Sequence, residues 1–152
     1  MLFSYQRHWF PASDRNRVGG FTIYRPEILV RVFGPDTSKS FQALVDTGSD
    51  VTIFPYATAD ALGVIPDRKL TRQVQSASGH AVEVFMGEIT LELRQGQDYY
   101  HWTTAIGFAS VTGSMHEGAL LGHEGFLEYF TATFDGKKRE LSLKPNSRLP
   151  KR

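Results

Sequence analysis

The 152-residue sequence contains no cysteine. That absence excludes disulfides, thiolate nucleophiles and zinc–thiolate sites, and it suits a reducing compartment. No apolar run approaches the length of a membrane span, so no membrane-spanning segment is expected. Net charge is nearly missing as well: 17 Lys and Arg oppose 16 Asp and Glu, for a formal +1. Such a balance provides no electrostatic reason to expect a nucleic-acid partner. Positive charge collects only at the end, where Lys144, Arg148, Lys151 and Arg152 follow Glu140 with no acidic neighbour. These residues are read as a solvated basic tail. The first ten residues lack the charged-then-apolar order of a signal peptide, and a cytoplasmic location is expected.

What is present describes a globular chain. A hydrophobic fraction of 41% is enough to build a core, and the length fits one domain of ordinary size. Residues 1–20, aromatic then polar and ending in Gly19-Gly20, are read as an N-terminal arm or irregular extension. Residues 21–144 form the domain and 145–152 the basic tail.

Within the domain the texture is that of strands. Glu27–Phe33 and Phe41–Val45 flank the turn residues Gly34-Pro35-Asp36 and predict a hairpin. Val51–Phe54, β-branched and aromatic, predicts a short strand. Pro55 suits a helix start, Ala57, Ala59, Ala61 and Leu62 continue it, and Gly63 ends it. Leu70–Leu93 reads as a long hairpin with a small polar tip, Ser76-Ala77-Ser78-Gly79-His80, and Tyr99–Phe108 as a further strand. Ala119-Leu120-Leu121 is a short buried strand stopped by Gly122. A short helix over His123–Tyr129 would set Phe126, Leu127 and Phe130 on one apolar face. Phe130–Phe134 and Glu140–Leu143 close the chain as a hairpin around Asp135-Gly136. The total predicts an all-β or barrel-like domain with two short helices.

One motif carries chemistry. Asp46-Thr47-Gly48-Ser49 lies between the apolar strands Ala43-Leu44-Val45 and Val51-Thr52-Ile53. A carboxylate there sits on a tight loop fixed from both sides; Gly48 permits a sharp turn, and the hydroxyls of Thr47 and Ser49 can hold the loop. Asp-Thr-Gly is also an ordinary turn, so the triplet alone is weak. Its weight comes from the order of elements: a long hairpin with a small-residue tip, then Leu120-Leu121-Gly122, then a short helix and a closing hairpin.

In that order, and in Leu44-Val45-Asp46-Thr47-Gly48-Ser49-Asp50, the chain resembles a retropepsin-like aspartic protease, the single-domain class of retroviral proteases and related bacterial proteins. The resemblance covers roughly residues 21–144. It implies a small closed β-barrel that dimerises, with Asp46 as the catalytic aspartate. It implies that Thr47 locks the loop to that of the second subunit, and that the Gly48 carbonyl accepts from the substrate backbone. Asp50 matches an acidic position that lines the channel and pairs with a basic residue, here His123, where the family often has arginine. The tip Ser78-Gly79-His80 stands where viral members are glycine-rich. Substrate contacts thus fall to Gly48, Asp50, Ser78, Gly79, His80 and Leu121, with Val51, Ile53 and Leu120 in the pocket walls.

Two carboxyls held close together cannot both ionise and so share a proton, which is what peptide hydrolysis by activated water requires. This sequence supplies one Asp-Thr-Gly loop, so a homodimer must supply the second Asp46. The partners expected are therefore a second copy of the chain and an extended peptide, with no cofactor. The neighbouring pairs His116-Glu117 and His123-Glu124 do not form the His-Glu-x-x-His pattern of a zinc helix, and no metal is assigned. No Gly-x-Ser-x-Gly elbow is present. Tyr99, Tyr100 and Trp102 lack the basic interleaving of a nucleic-acid surface and are read as packing residues. The alternative is a retropepsin-like dimerisation or peptide-binding module without useful proteolysis; an intact Asp46 with Thr47 and Gly48 favours the enzyme.

Overall fold

Alternation along Glu27–Phe33 sends Ile28, Val30 and Val32 to one side and Leu29 and Arg31 to the other, and in the computed structural model the first three are buried and the last two exposed. The structure describes residues 1–11, 19–75, 79, 81–109 and 118–150. Among them the strands are β1 (Leu2–Ser4), β2 (Gln6–Phe10), β3 (Phe21–Arg25), β4 (Glu27–Phe33), β5 (Ser38–Val45) and β6 (Ile53–Pro55). After helix α1 (Tyr56–Leu62) come β7 (Asp67–Gln75), β8 (Ala81–Gln95), β9 (Asp98–Ala109), β10 (Ala119–Leu121), β11 (Phe130–Asp135) and β12 (Glu140–Pro145). The protein is mostly β, as expected from its texture.

The strands β4, β5, β10, β6, β9 and β8 are hydrogen-bonded in that order, and β8 pairs back to β4 through Arg31–Glu92, Val32–Leu91 and Phe33–Thr90, which closes a ring. Strand β7 lies outside the ring, paired among the described strands with β8 alone. Most of the ring is antiparallel. The exceptions are β10 beside β5 and β6 beside β9, which run parallel.

The side chains inside the ring make the core. Along β8 the buried set changes parity, from Val84 and Met86 to Ile89, Leu91 and Leu93. The first pair joins Val51 and Ala109 in a small cluster of its own, with Ile53, Val74 and Val82 packed against it; the second set faces the main core. One long strand thus serves two apolar groups. The floor of the main core is aromatic. Trp102 packs against Phe126, Tyr129 and Phe130 at ring separations of 5.9, 6.0 and 5.5 Å. Its indole Nε1–H donates to the carbonyl of Gly125 at 3.1 Å, which satisfies the polar end of a buried ring.

Several expectations hold and several need correction. The β4–β5 hairpin and its turn form as read. Helix α1 ends at Gly63, whose φ of 72° makes the left-handed cap. The helix expected over 123–129 is only a 3-10 turn, Leu127–Tyr129. Gly125 stands at φ 90°, outside the helical region, and Glu124 is drawn into a bridge with Val51, so a helix cannot start earlier. Val51 belongs to that bridge rather than to β6, which begins at Ile53. The final hairpin forms between the expected strands and turns through residues 136–139, with Asp135 Oδ1 accepting the Lys138 amide at 2.9 Å.

The N-terminal segment is not irregular where it is described. Strand β1 pairs with β12, so that the order β1-β12-β11 forms a separate sheet. Strand β2 pairs with β3 as a two-stranded ribbon, and Phe10 stacks on Phe21 at 5.2 Å. The chain beyond β12 is docked by Asn146, whose amide donates to the Tyr129 carbonyl at 2.9 Å, and by Leu149, which packs against the main core, while Lys144 and Arg148 are exposed.

Trp102 is 2% exposed and is shared by β9, the segment after Gly122 and β11. Trp102→Ala is expected to cost about 3–5 kcal/mol, read from denaturant unfolding. A loss below about 1 kcal/mol would mean that this aromatic floor does not hold the chain together.

Candidate active site

Strand β5 ends at Val45, and Asp46, the next residue, stands outside the β5 ladders. Its backbone is nonetheless held. The Asp46 amide donates to the Leu121 carbonyl at 3.1 Å, extending the parallel β5–β10 pairing by one bond. The Gly48 amide donates to Asp46 Oδ1 at 2.9 Å, and the Ser49 amide to the Asp46 carbonyl at 3.3 Å. The loop therefore curls around its own carboxylate and fixes the side chain's orientation. The Asp46 side chain is half-buried, while Thr47, Gly48 and Asp50 are exposed and Ser49 is buried. Ser49 turns inward and donates its hydroxyl to the Val51 carbonyl at 2.7 Å.

The segment after β10 completes the frame. The amides of His123 and Glu124 donate to the carbonyls of Ser49 and Asp50, both at 2.9 Å, and the Thr52 amide donates back to Glu124 at 2.9 Å. Gly122 lies directly beneath. A Cβ on it would stand 2.4 Å from the Val51 carbonyl oxygen and 2.7 Å from that of Ser49, closer than any real contact. Its amide donates to Thr52 Oγ1 at 3.2 Å. Thr52 is a buried polar residue inside an apolar run, and that was the one signal by which its part in the loop could have been found in the sequence.

The other site residues are distributed as follows. Leu121 is fully buried in the main core, so its side chain does not line a channel; what it contributes to the site is the carbonyl that holds Asp46. Leu120 and Ile53, opposite each other in the β10–β6 pairing, are only partly covered, whereas Val51 is buried. His123 Nε2 donates to the Thr47 carbonyl at 3.1 Å rather than to the Asp50 carboxylate. The expected Asp50–His123 pairing is thus replaced by a bond that braces the Asp-Thr-Gly loop. Asp50 is tied through its backbone to Glu124. Of the tip residues, Gly79 is described and has φ 81°; Ser78 and His80 lie outside the described residues, as does His116 of the discarded zinc reading.

One contact had no signal in the sequence. Arg72 on β7 meets Glu124 across 52 residues: Nη2 donates to Oε1 at 3.0 Å, and Nη1 donates to Oε2. The hydrogen bond to Glu124 raises the Arg72 pKa above its ordinary value, burial opposes this, and the carboxylate's charge adds to it. Both side chains are more than one-third exposed, so the pair adds little to overall stability.

Gly122→Ala is expected to displace the 49–51 backbone and to cost about 1–3 kcal/mol, because the clashes would be with backbone that cannot rotate aside. Chemical shifts of Asp46 to Thr52 and the unfolding midpoint report both effects. A variant with unchanged shifts and stability would mean that the close approach at Gly122 does not shape the loop.

No curated protein matches the chain significantly. Residues 28–97, from β4 through the β8–β9 turn, match the family model described as aspartyl protease, and they include Asp46 and the β7–β8 hairpin.

Proposed function

We propose that the protein is an aspartic endopeptidase that works as a homodimer, with water activated between Asp46 of one copy and Asp46 of another. The observation that carries this reading is the hold on Asp46: its amide is bound to Leu121, and its Oδ1 accepts the Gly48 amide. A carboxylate fixed in this way at a half-exposed loop needs no reorganisation to act in proton transfer. The family match over residues 28–97 supports the same reaction class.

In this reading the ring of strands is the closed barrel of a retropepsin-like fold. Thr47, exposed at the loop's apex, meets the loop of the second copy. One Asp46 is ionised and takes a proton from water as the water oxygen bonds to the peptide carbonyl carbon. The other Asp46 is protonated and gives its proton to the carbonyl oxygen. As the tetrahedral intermediate collapses, the first Asp46 passes the proton it took from water to the leaving nitrogen, the second takes a proton back from a hydroxyl of the intermediate, and the C–N bond breaks. Acid–base catalysis of this kind contributes about 100-fold to 10,000-fold. An extended peptide would lie between the subunits, bonding its main chain to the Gly48 carbonyl and to the backbone of Ser78, Gly79 and His80, with Asp50 along the channel. The absence of cysteine supports a cytoplasmic location.

Asp46→Asn is expected to keep the fold and lower peptide cleavage by at least about 100-fold, since an amide cannot exchange protons at this site. A diverse peptide mixture, wild type and variant compared at equal folded concentration, checks it. Wild-type activity should also fall on dilution as the dimer dissociates, and an excess of Asp46→Asn chain should suppress it through mixed dimers. Undiminished cleavage by the variant would remove Asp46 from the chemistry. Peptide binding without cleavage by the wild type would make the protein a binding module.

A further inference from the structure

Strand β7 is the edge of its sheet, and all its residues except Val74 are exposed. Among the described residues its one strand neighbour is β8. An edge so lightly packed moves easily, so any specific contact that ties it elsewhere decides where it rests. Among the described ion pairs, Arg72–Glu124 alone makes such a tie.

The two ends of the pair are differently anchored. Glu124 is clasped to the Asp46 loop: its amide bonds to Asp50, its carbonyl accepts from Thr52, and it bridges Val51 in the parallel sense. Arg72 stands opposite Val84 in the β7–β8 register. Val84 packs in the same small apolar cluster as Val51. Loop and hairpin thus meet twice, through apolar side chains and through a two-point ionic contact. A guanidinium that bonds both carboxylate oxygens fixes angle as well as distance, which a lysine ammonium would not.

We propose that Arg72 and Glu124 are positioning residues, a latch that holds the base of the β7–β8 hairpin in register with the loop bearing Asp46. The kinetic part of this inference rests on the peptidase reading; the structural part does not. Because the hairpin carries Gly79, which the peptidase reading sets against the bound peptide, loosening its base weakens peptide binding more than it slows the chemical step. The geometry predicts a role for charge order as well: reversed charges should restore what either neutralised partner loses.

The test compares the full-length wild type with Glu124→Gln, Arg72→Met, Arg72→Lys and the reversed pair Arg72→Glu with Glu124→Arg. Amide hydrogen exchange is followed over residues 67–75 and 119–126, with Tm, kcat and KM measured on the same samples. Each neutralising variant should exchange about threefold to fivefold faster in both segments, the scale of one well-formed exposed pair, with Tm within about 3 °C of wild type. KM should rise by a similar factor while kcat changes less than about twofold. Arg72→Lys should fall between wild type and Arg72→Met, and the reversed pair should return close to wild type. Unchanged exchange, faster exchange confined to the substituted segment, no recovery in the reversed pair, or an unchanged KM in an active chain would each overturn the latch. If the wild type cleaves no peptide, the peptidase reading fails, and the exchange data alone decide the latch.

Discussion

The structure around the site depends on one close approach: Gly122 passing beneath the backbone of Ser49 and Val51. With no side chain at this point, β10 can lie parallel to β5, and the Leu121 carbonyl reaches the Asp46 amide. From that contact the remaining bonds follow in order. His123 and Glu124 come within reach of the Ser49 and Asp50 carbonyls, Thr52 closes on Glu124, and Thr52 Oγ1 accepts the amide of Gly122 itself. A loop that would otherwise bury unsatisfied backbone is thereby paired almost residue by residue. The acid is held by strand-like bonding without being part of a strand.

The aromatic floor extends this frame into the core. Trp102 donates to the Gly125 carbonyl, three residues past Gly122, and its ring is enclosed by Phe126, Tyr129 and Phe130. The segment that braces Asp46 from outside is therefore fastened to β9 and β11 from inside. The terminal sheet reinforces it, because β12 is flanked by both β11 and β1, and the Met1 ammonium donates to the Leu143 carbonyl at 2.9 Å. Chain ends that would fray by themselves close the floor of the core.

Local signals in the sequence were the readable ones. The β4–β5 hairpin announces itself by alternation around Gly34-Pro35-Asp36, and α1 by its alanines and terminal glycine. The Asp46 loop was legible because strand texture flanks it on both sides. What escaped was decided at long range. The His123–Tyr129 run has the apolar spacing of a helix, yet hydrogen bonding to residues 49–52 and the backbone of Gly125 override it. Nothing near Leu2–Ser4 tells that it pairs with residues 140–142, and nothing near Arg72 names Glu124 as its partner. Leu121 is a related case: an apolar residue beside the Asp46 loop reads as a substrate contact, but alternation along β10 turns its side chain into the core and leaves Leu120 partly covered.

The contrast in packing between the two halves of the site has a physical logic. Asp46 sits on a loop bonded to β10 and to the segment after it, where small displacements break several hydrogen bonds at once. Strand β7 is bonded on one side, exposed along its length, and tied to that same segment through an ion pair at solvent. A bonded network opens rarely, whereas one exposed ionic contact opens and re-forms at little cost. Proton transfer needs the first kind of support, because its geometry must be in place before the reaction. The proposed peptide substrate is better served by the second, which lets the β7–β8 hairpin shift as an extended chain enters. Glu124 belongs to both: its backbone is part of the rigid frame and its side chain is part of the movable contact. The proposed latch therefore draws on the same residue whose backbone bonds Asp50 and Thr52.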